Sequence, residues 1–164
     1  MNANVRMTVA AALLCAGAAP AAAQQLDTHF SCSASRSEDG ERVTYADNGE
    51  IRISGNRVEV FHWESALYRS THGYDCNIDE NDGLTAEVRN EAPKVQWRVA
   101  LEDALKARSK RGYDFSRGMS CTIRLEQEGD MLTLKPTCPA LCGSRSNFSE
   151  LTVNLKTGQC RYHE

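Results

Sequence analysis

Four histidines, seven cysteines and a scatter of carboxylates are the side chains here whose types could carry chemistry, and their spacing limits what that chemistry would be. Histidine is the natural general base or metal ligand near neutral pH. His62 stands between Phe61 and Trp63 and just ahead of Glu64, a His/carboxylate pair of the kind an envelope hydrolase would use. If a strand continues through them, the two are expected on opposite faces, which favours packing or exposure over catalysis. His72 lies in the run Ser70, Thr71, His72, Gly73, Tyr74. Polar side chains, a glycine and an aromatic tip are what a protruding recognition loop uses. His29 and His163 fall near the ends of the mature chain, where order is least expected. No Gly-x-Ser-x-Gly elbow and no glycine-rich phosphate loop occurs, so no catalytic residue is assigned and no cofactor is implied.

The cysteines point to architecture instead. Beyond the first 24 residues they are Cys32, Cys76, Cys121, Cys138, Cys142 and Cys160, and an even number in a small exported chain reads as a disulfide framework. The competing reading is zinc. Only Cys138 and Cys142 are closely spaced, and no second Cys or His pair completes a tetrahedral set, so no metal is expected. The run from Cys138 through Pro139, Ala140, Leu141 and Cys142 to Gly143, Ser144 and Arg145 reads as a stapled corner. Gly143 lets the backbone turn sharply, and Arg145 is placed to bond carbonyls or a carboxylate.

The elements that must position these residues are strands. From Val43 onward apolar residues mostly recur at every second position. Ile51 and Ile53, then Gly55-Asn56, then Val58 and Val60 form a hairpin pattern, glycine supplying the positive φ of the turn. Tyr74, Cys76 and Ile78 lead to an acidic turn at residues 79–83; Leu84, Ala86 and Val88 lead to Glu91-Ala92-Pro93. Val95, Trp97, Val99 and Leu101 alternate strictly. Met119, Cys121, Ile123 and Leu125 precede Glu128-Gly129-Asp130, and Leu132 and Leu134 resume. Leu151, Val153 and Leu155, a Thr157-Gly158 turn, and Cys160 with Tyr162 complete the series. The spacing predicts an all-β antiparallel domain, disulfide-stapled, with roughly eight to ten short strands. Both a barrel and a sandwich satisfy it. One helical segment is expected over residues 102–110, with Asp103 as a cap, and a second short turn over residues 140–142.

Composition sets the compartment and the partner class. Residues 1–24 carry one charge, Arg6, an apolar stretch and the small residues Ala21, Ala22 and Ala23, the layout of a cleavable export signal. The apolar stretch is short of the roughly 20 residues a spanning helix needs, so no transmembrane segment is expected. Cys15 is read as discarded with the signal. Residues 25–164 then make a single domain, periplasmic or secreted, of 18 basic and 22 acidic residues. That balance argues against nucleic acid as a partner.

The strand with Cys121, the Gly129-Asp130 turn and the Cys-x-x-x-Cys-Gly-x-Arg corner ending at Arg145 together resemble a group of small exported bacterial Cys-rich β proteins. The resemblance covers residues 119–145 and implies compartment and fold. A more distant resemblance is to periplasmic inhibitors of c-type lysozyme, short disulfide-bearing β-barrels that insert a Ser-Gly-x-x-Tyr loop into the enzyme. Here Ser54-Gly55 is followed by Asn56, Arg57 and Val58, and in residues 70–74 the glycine is out of place. The expectation is a non-enzymatic binding module facing a cell-envelope protein, such as a lysozyme-like hydrolase or a toxin. Its contacts would come from Ser70, His72, Tyr74, Asp79 and Asp82. The alternatives are a barrel carrying a small apolar ligand and the His62-based hydrolase.

Overall fold

A computed structural model describes residues 24–110, 121–137 and 150–163. In these, ten strands form: β1 (Gln25–Glu38), β2 (Glu41–Ser54), β3 (Arg57–Tyr68), β4 (Gly73–Asp79), β5 (Leu84–Glu91), β6 (Lys94–Leu101), β7 (Thr122–Glu128), β8 (Met131–Pro136), β9 (Leu151–Asn154) and β10 (Cys160–Tyr162). They make two antiparallel sheets, ordered β1-β2-β3-β4 and β10-β9-β8-β7-β6-β5. Each strand pairs only with its sequence neighbours, so the chain is an up-and-down meander divided between β4 and β5. The all-β expectation holds, and the choice between barrel and sandwich comes out as two sheets around one core.

Inward positions of both sheets fill that core. Phe61 and Trp63 from β3, Ile51 and Ile53 from β2, Trp97 from β6, Ile123 and Leu125 from β7, Leu132 and Leu134 from β8, and Leu151 from β9 are all buried. Fully burying a side chain of this size contributes about 1.5–3 kcal/mol. Bulky groups thus occupy the inward positions that a ligand-carrying barrel would leave open. Gly49 lies opposite Phe30 in the β1–β2 ladder, and a Cβ there would stand 2.3 Å from the Phe30 ring. The glycine is what lets the ring lie flat across the strand.

Two features depart from the alternation read in the sequence. Val60 was expected on the same face as Val58, but the β2–β3 register shifts so that Val58 pairs with Ile53 and Val60 with Arg52. Glu59 is the extra residue, and such a bulge turns the following side chains over, bringing Phe61 and Trp63 inward. The second is β1. His29, expected in a disordered terminus, sits in this strand opposite Glu50, and at the other end the His163 ring bonds the Thr152 hydroxyl at 2.7 Å.

The turns follow their expected chemistry. Gly55, Gly83, Gly129 and Gly158 all take positive φ. The helix, α1 (Ala104–Lys110), starts later than expected but uses the expected cap, the Lys106 N–H donating to Asp103 Oδ1 at 3.0 Å. A disulfide joins Cys32 on β1 to Cys160 on β10, 128 residues apart, and Cys121 is also disulfide-bonded. The corner at Cys138, Cys142, Gly143 and Arg145 and the turn over residues 140–142 lie outside the described residues.

Candidate functional site

The β1–β2 turn and the β3–β4 turn stand side by side at one end of the four-stranded sheet, because Thr44 on β2 pairs with Tyr68 on β3 and Ser35 on β1 pairs with Thr44. Residues 69–72 form a closed turn in which the Arg69 N–H donates to the His72 carbonyl at 2.8 Å. A polar network then fixes this turn to the first hairpin. Arg69 reaches Glu38 at 2.9 Å and Glu41 at 3.4 Å. The Ser70 N–H donates to Glu41 Oε1 at 2.9 Å, and the Ser70 hydroxyl reaches the same oxygen. On the far side of Glu38, the Tyr45 hydroxyl donates to Oε1 at 2.6 Å, and Arg36 donates to Glu38 and to the Tyr45 oxygen at 2.5 and 2.8 Å.

These contacts set the charge state of the tip. The Tyr45 hydroxyl, then Arg36, hold the Glu38 carboxyl below the ordinary glutamate range. The Ser70 hydroxyl and its neighbouring N–H do the same for Glu41. Both carboxylates are therefore ionised and committed at neutral pH. What the tip presents outward is Tyr68, 52% exposed, with exposed Thr71 and His72. The Thr71 hydroxyl meets His72 Nδ1 at 2.8 Å.

Of the residues expected to make contacts, Ser70 and His72 are in the turn and Tyr74 follows it in β4, opposite Leu67. Asp79 and Asp82 are at the other end of β4, about 20 Å along a seven-residue strand. There Asp79 caps the single turn of 3-10 helix at Glu80–Asp82, accepting from the Asn81 N–H, and Asp82 accepts from the Asp79 N–H at 3.0 Å. The structure brings the first three together and separates them from the last two. His62 and Glu64, expected on opposite faces, share the outer face with 3.3 Å between Nε2 and Oε1, since residues two apart in a strand point the same way. Both are well exposed to solvent, on an open sheet surface.

A deeply buried carboxylate lies outside the residues that the sequence singled out. Asp47, 2% exposed, accepts from Trp63 Nε1 at 2.9 Å and from the Tyr162 hydroxyl at 2.8 Å. Burial, outweighing these donors and Ser65, pushes its carboxyl up, and burial also pushes the Tyr162 hydroxyl up. The signal was available: position 47 has the inward parity of Tyr45 and Ile51. Tyr162 also stacks obliquely on Tyr45, centroids 5.5 Å apart, which joins this buried cluster to the tip network.

Comparison with protein-family models, with curated proteins and with solved structures finds no match for this chain. Chemically, the tip is a rigid, charge-compensated base carrying an exposed aromatic and an exposed imidazole. Among the described residues no cluster of three or more His, Cys, Asp or Glu side chains is arranged to hold a metal ion.

Proposed function

We propose that this protein is a non-enzymatic, exported binding module that engages a cell-envelope or foreign protein, such as a lysozyme-like hydrolase or a toxin, through the tip of its four-stranded sheet. The observation that carries this reading is the anchoring of residues 69–72 by Glu38 and Glu41. A loop already held in one conformation loses little entropy on binding, and so more of its contact energy becomes affinity. Tyr68 offers a large, stiff contact surface at that spot, and Thr71 and His72 offer adaptable hydrogen bonds. An acidic module also attracts a basic hydrolase over distance.

The test is retention of purified lysozymes and envelope proteins by the immobilised, oxidised protein, followed by titration of the hydrolase activity of whatever is retained. The expected result is a one-to-one complex with loss of hydrolase activity, weakened about tenfold or more when Tyr68 and His72 are both replaced by alanine. No retention, or retention indifferent to the two substitutions, overturns the reading.

A further inference from the structure

The outer face of the six-stranded sheet carries a charge arrangement that the fold does not require. Arg98 on β6 pairs directly with Arg124 on β7, which pairs with Lys135 on β8. Like charges at directly opposed positions repel, and an uncharged polar residue would serve the sheet better. The nearest carboxylates compensate loosely: Glu87 is 3.7 Å from Arg98 and Glu126 is 3.7 Å from Arg124, both beyond hydrogen-bond length. Lys135 alone is closely matched, at 3.0 Å from Glu150. One position along, Arg89 on β5 faces Gln96 on β6. Arg89, Gln96, Arg98 and Arg124, with Glu87 at the side, line a hollow of about 240 Å³.

We infer that this hollow binds a small tetrahedral dianion, a phosphomonoester or pyrophosphate group, either free or as the headgroup of a lipid. Guanidinium groups present planar pairs of donors that match two oxygens of such an anion at once, and two of them side by side can hold it from both flanks. The Gln96 amide adds a neutral donor. Bound anion would relieve the Arg98–Arg124 repulsion, so ligand and fold gain together. The volume suits one headgroup and not a polymer. The site stands independently of the tip of the other sheet.

Calorimetric titration of the oxidised protein with inorganic phosphate, pyrophosphate and glucose 1-phosphate, and co-sedimentation with phosphatidylcholine vesicles containing phosphatidic acid, test it. The expected result is saturable one-to-one binding that weakens about tenfold or more in Arg98→Gln and in Arg124→Gln, each losing a charge-assisted hydrogen bond. Both variants should melt at or above the unliganded wild-type temperature. Binding of soluble probes alone assigns a free ligand, and binding of vesicles alone assigns a lipid headgroup. Tyr68→Ala with His72→Ala should leave the titration unchanged, which separates this site from the proposed protein-binding tip. Absence of saturable binding for every probe, or binding that survives both arginine substitutions, overturns the inference.

Discussion

Asp47 occupies a position where the strand pattern calls for an apolar side chain, and the consequence is a pH dependence of unusual sign. Most carboxylates that matter to stability are held below their ordinary pKa and fail in acid. Asp47 is pushed up by burial, so its ionised form opposes folding. As pH falls through its raised pKa the folded protein takes up a proton before the unfolded chain does, and stability rises until the unfolded aspartate also titrates, near about 3.9. Glu38 and Glu41 have the opposite sign: their support is present above the ordinary glutamate value and lost as pH falls through their lowered ones. Urea unfolding of wild type and Asp47→Asn across this range separates the two, because the glutamates are common to both proteins. The free-energy difference should move in favour of wild type as pH drops from neutral toward 4. A difference that is flat with pH means Asp47 is ionised at no cost.

At the scale of elements, the β3–β4 turn is attached to the first hairpin by two carboxylates, Glu38 through Arg69 and Glu41 through both Arg69 and Ser70. Glu41→Gln keeps an acceptor for Ser70 but removes the charge that Arg69 meets. Global stability should change little, as for other exposed ion pairs. Amide exchange at residues 69–73 should nonetheless become several-fold faster, which hydrogen-exchange mass spectrometry reads directly. Unchanged exchange in that segment would show the turn to be held by its own backbone. The hairpins at Gly55, Gly129 and Gly158 were legible because glycine and short polar runs punctuate clear alternation. The strand β1 was not. Its inward residues are Leu26, Phe30 and Cys32, its last third runs through Ser33, Ala34, Ser35 and Arg36, and its order comes from pairing with β2 along its whole length. The tip was half legible: the loop composition pointed to residues 70–74, while the partners that fix it, Glu38 and Glu41, lie some 30 residues earlier in the chain. Asp79 and Asp82 looked equally available in sequence because a capping box and an exposed acidic loop have the same composition.

For the whole molecule, the last strand, β10, ties one sheet to the other. Through β10, Cys160 reaches Cys32 and Tyr162 reaches Asp47, and Cys32 and Asp47 are themselves paired across β1 and β2. The covalent and polar links thus sit side by side along the same edge. Cross-linking residues 128 apart restricts the unfolded chain by on the order of 4–5 kcal/mol. Cys32→Ser with Cys160→Ser should lower the unfolding free energy by a comparable amount in denaturant titration, with the sheets retained by circular dichroism. A loss well under 1 kcal/mol would mean that the unfolded chain is already constrained there. The same topology has a bearing on how the protein comes into being. In a meander every ladder is made between strands adjacent in sequence, so each sheet can assemble in the order in which the chain is delivered, while the Cys32–Cys160 and Asp47–Tyr162 links must wait for the last strand. Until residues 160–162 arrive, Cys32 remains a thiol that any other cysteine can capture, and Asp47 waits without Tyr162. Correct assembly therefore turns on keeping Cys32 unoccupied until the last strand is present, a demand on the timing of oxidation and not on the energetics of the finished fold.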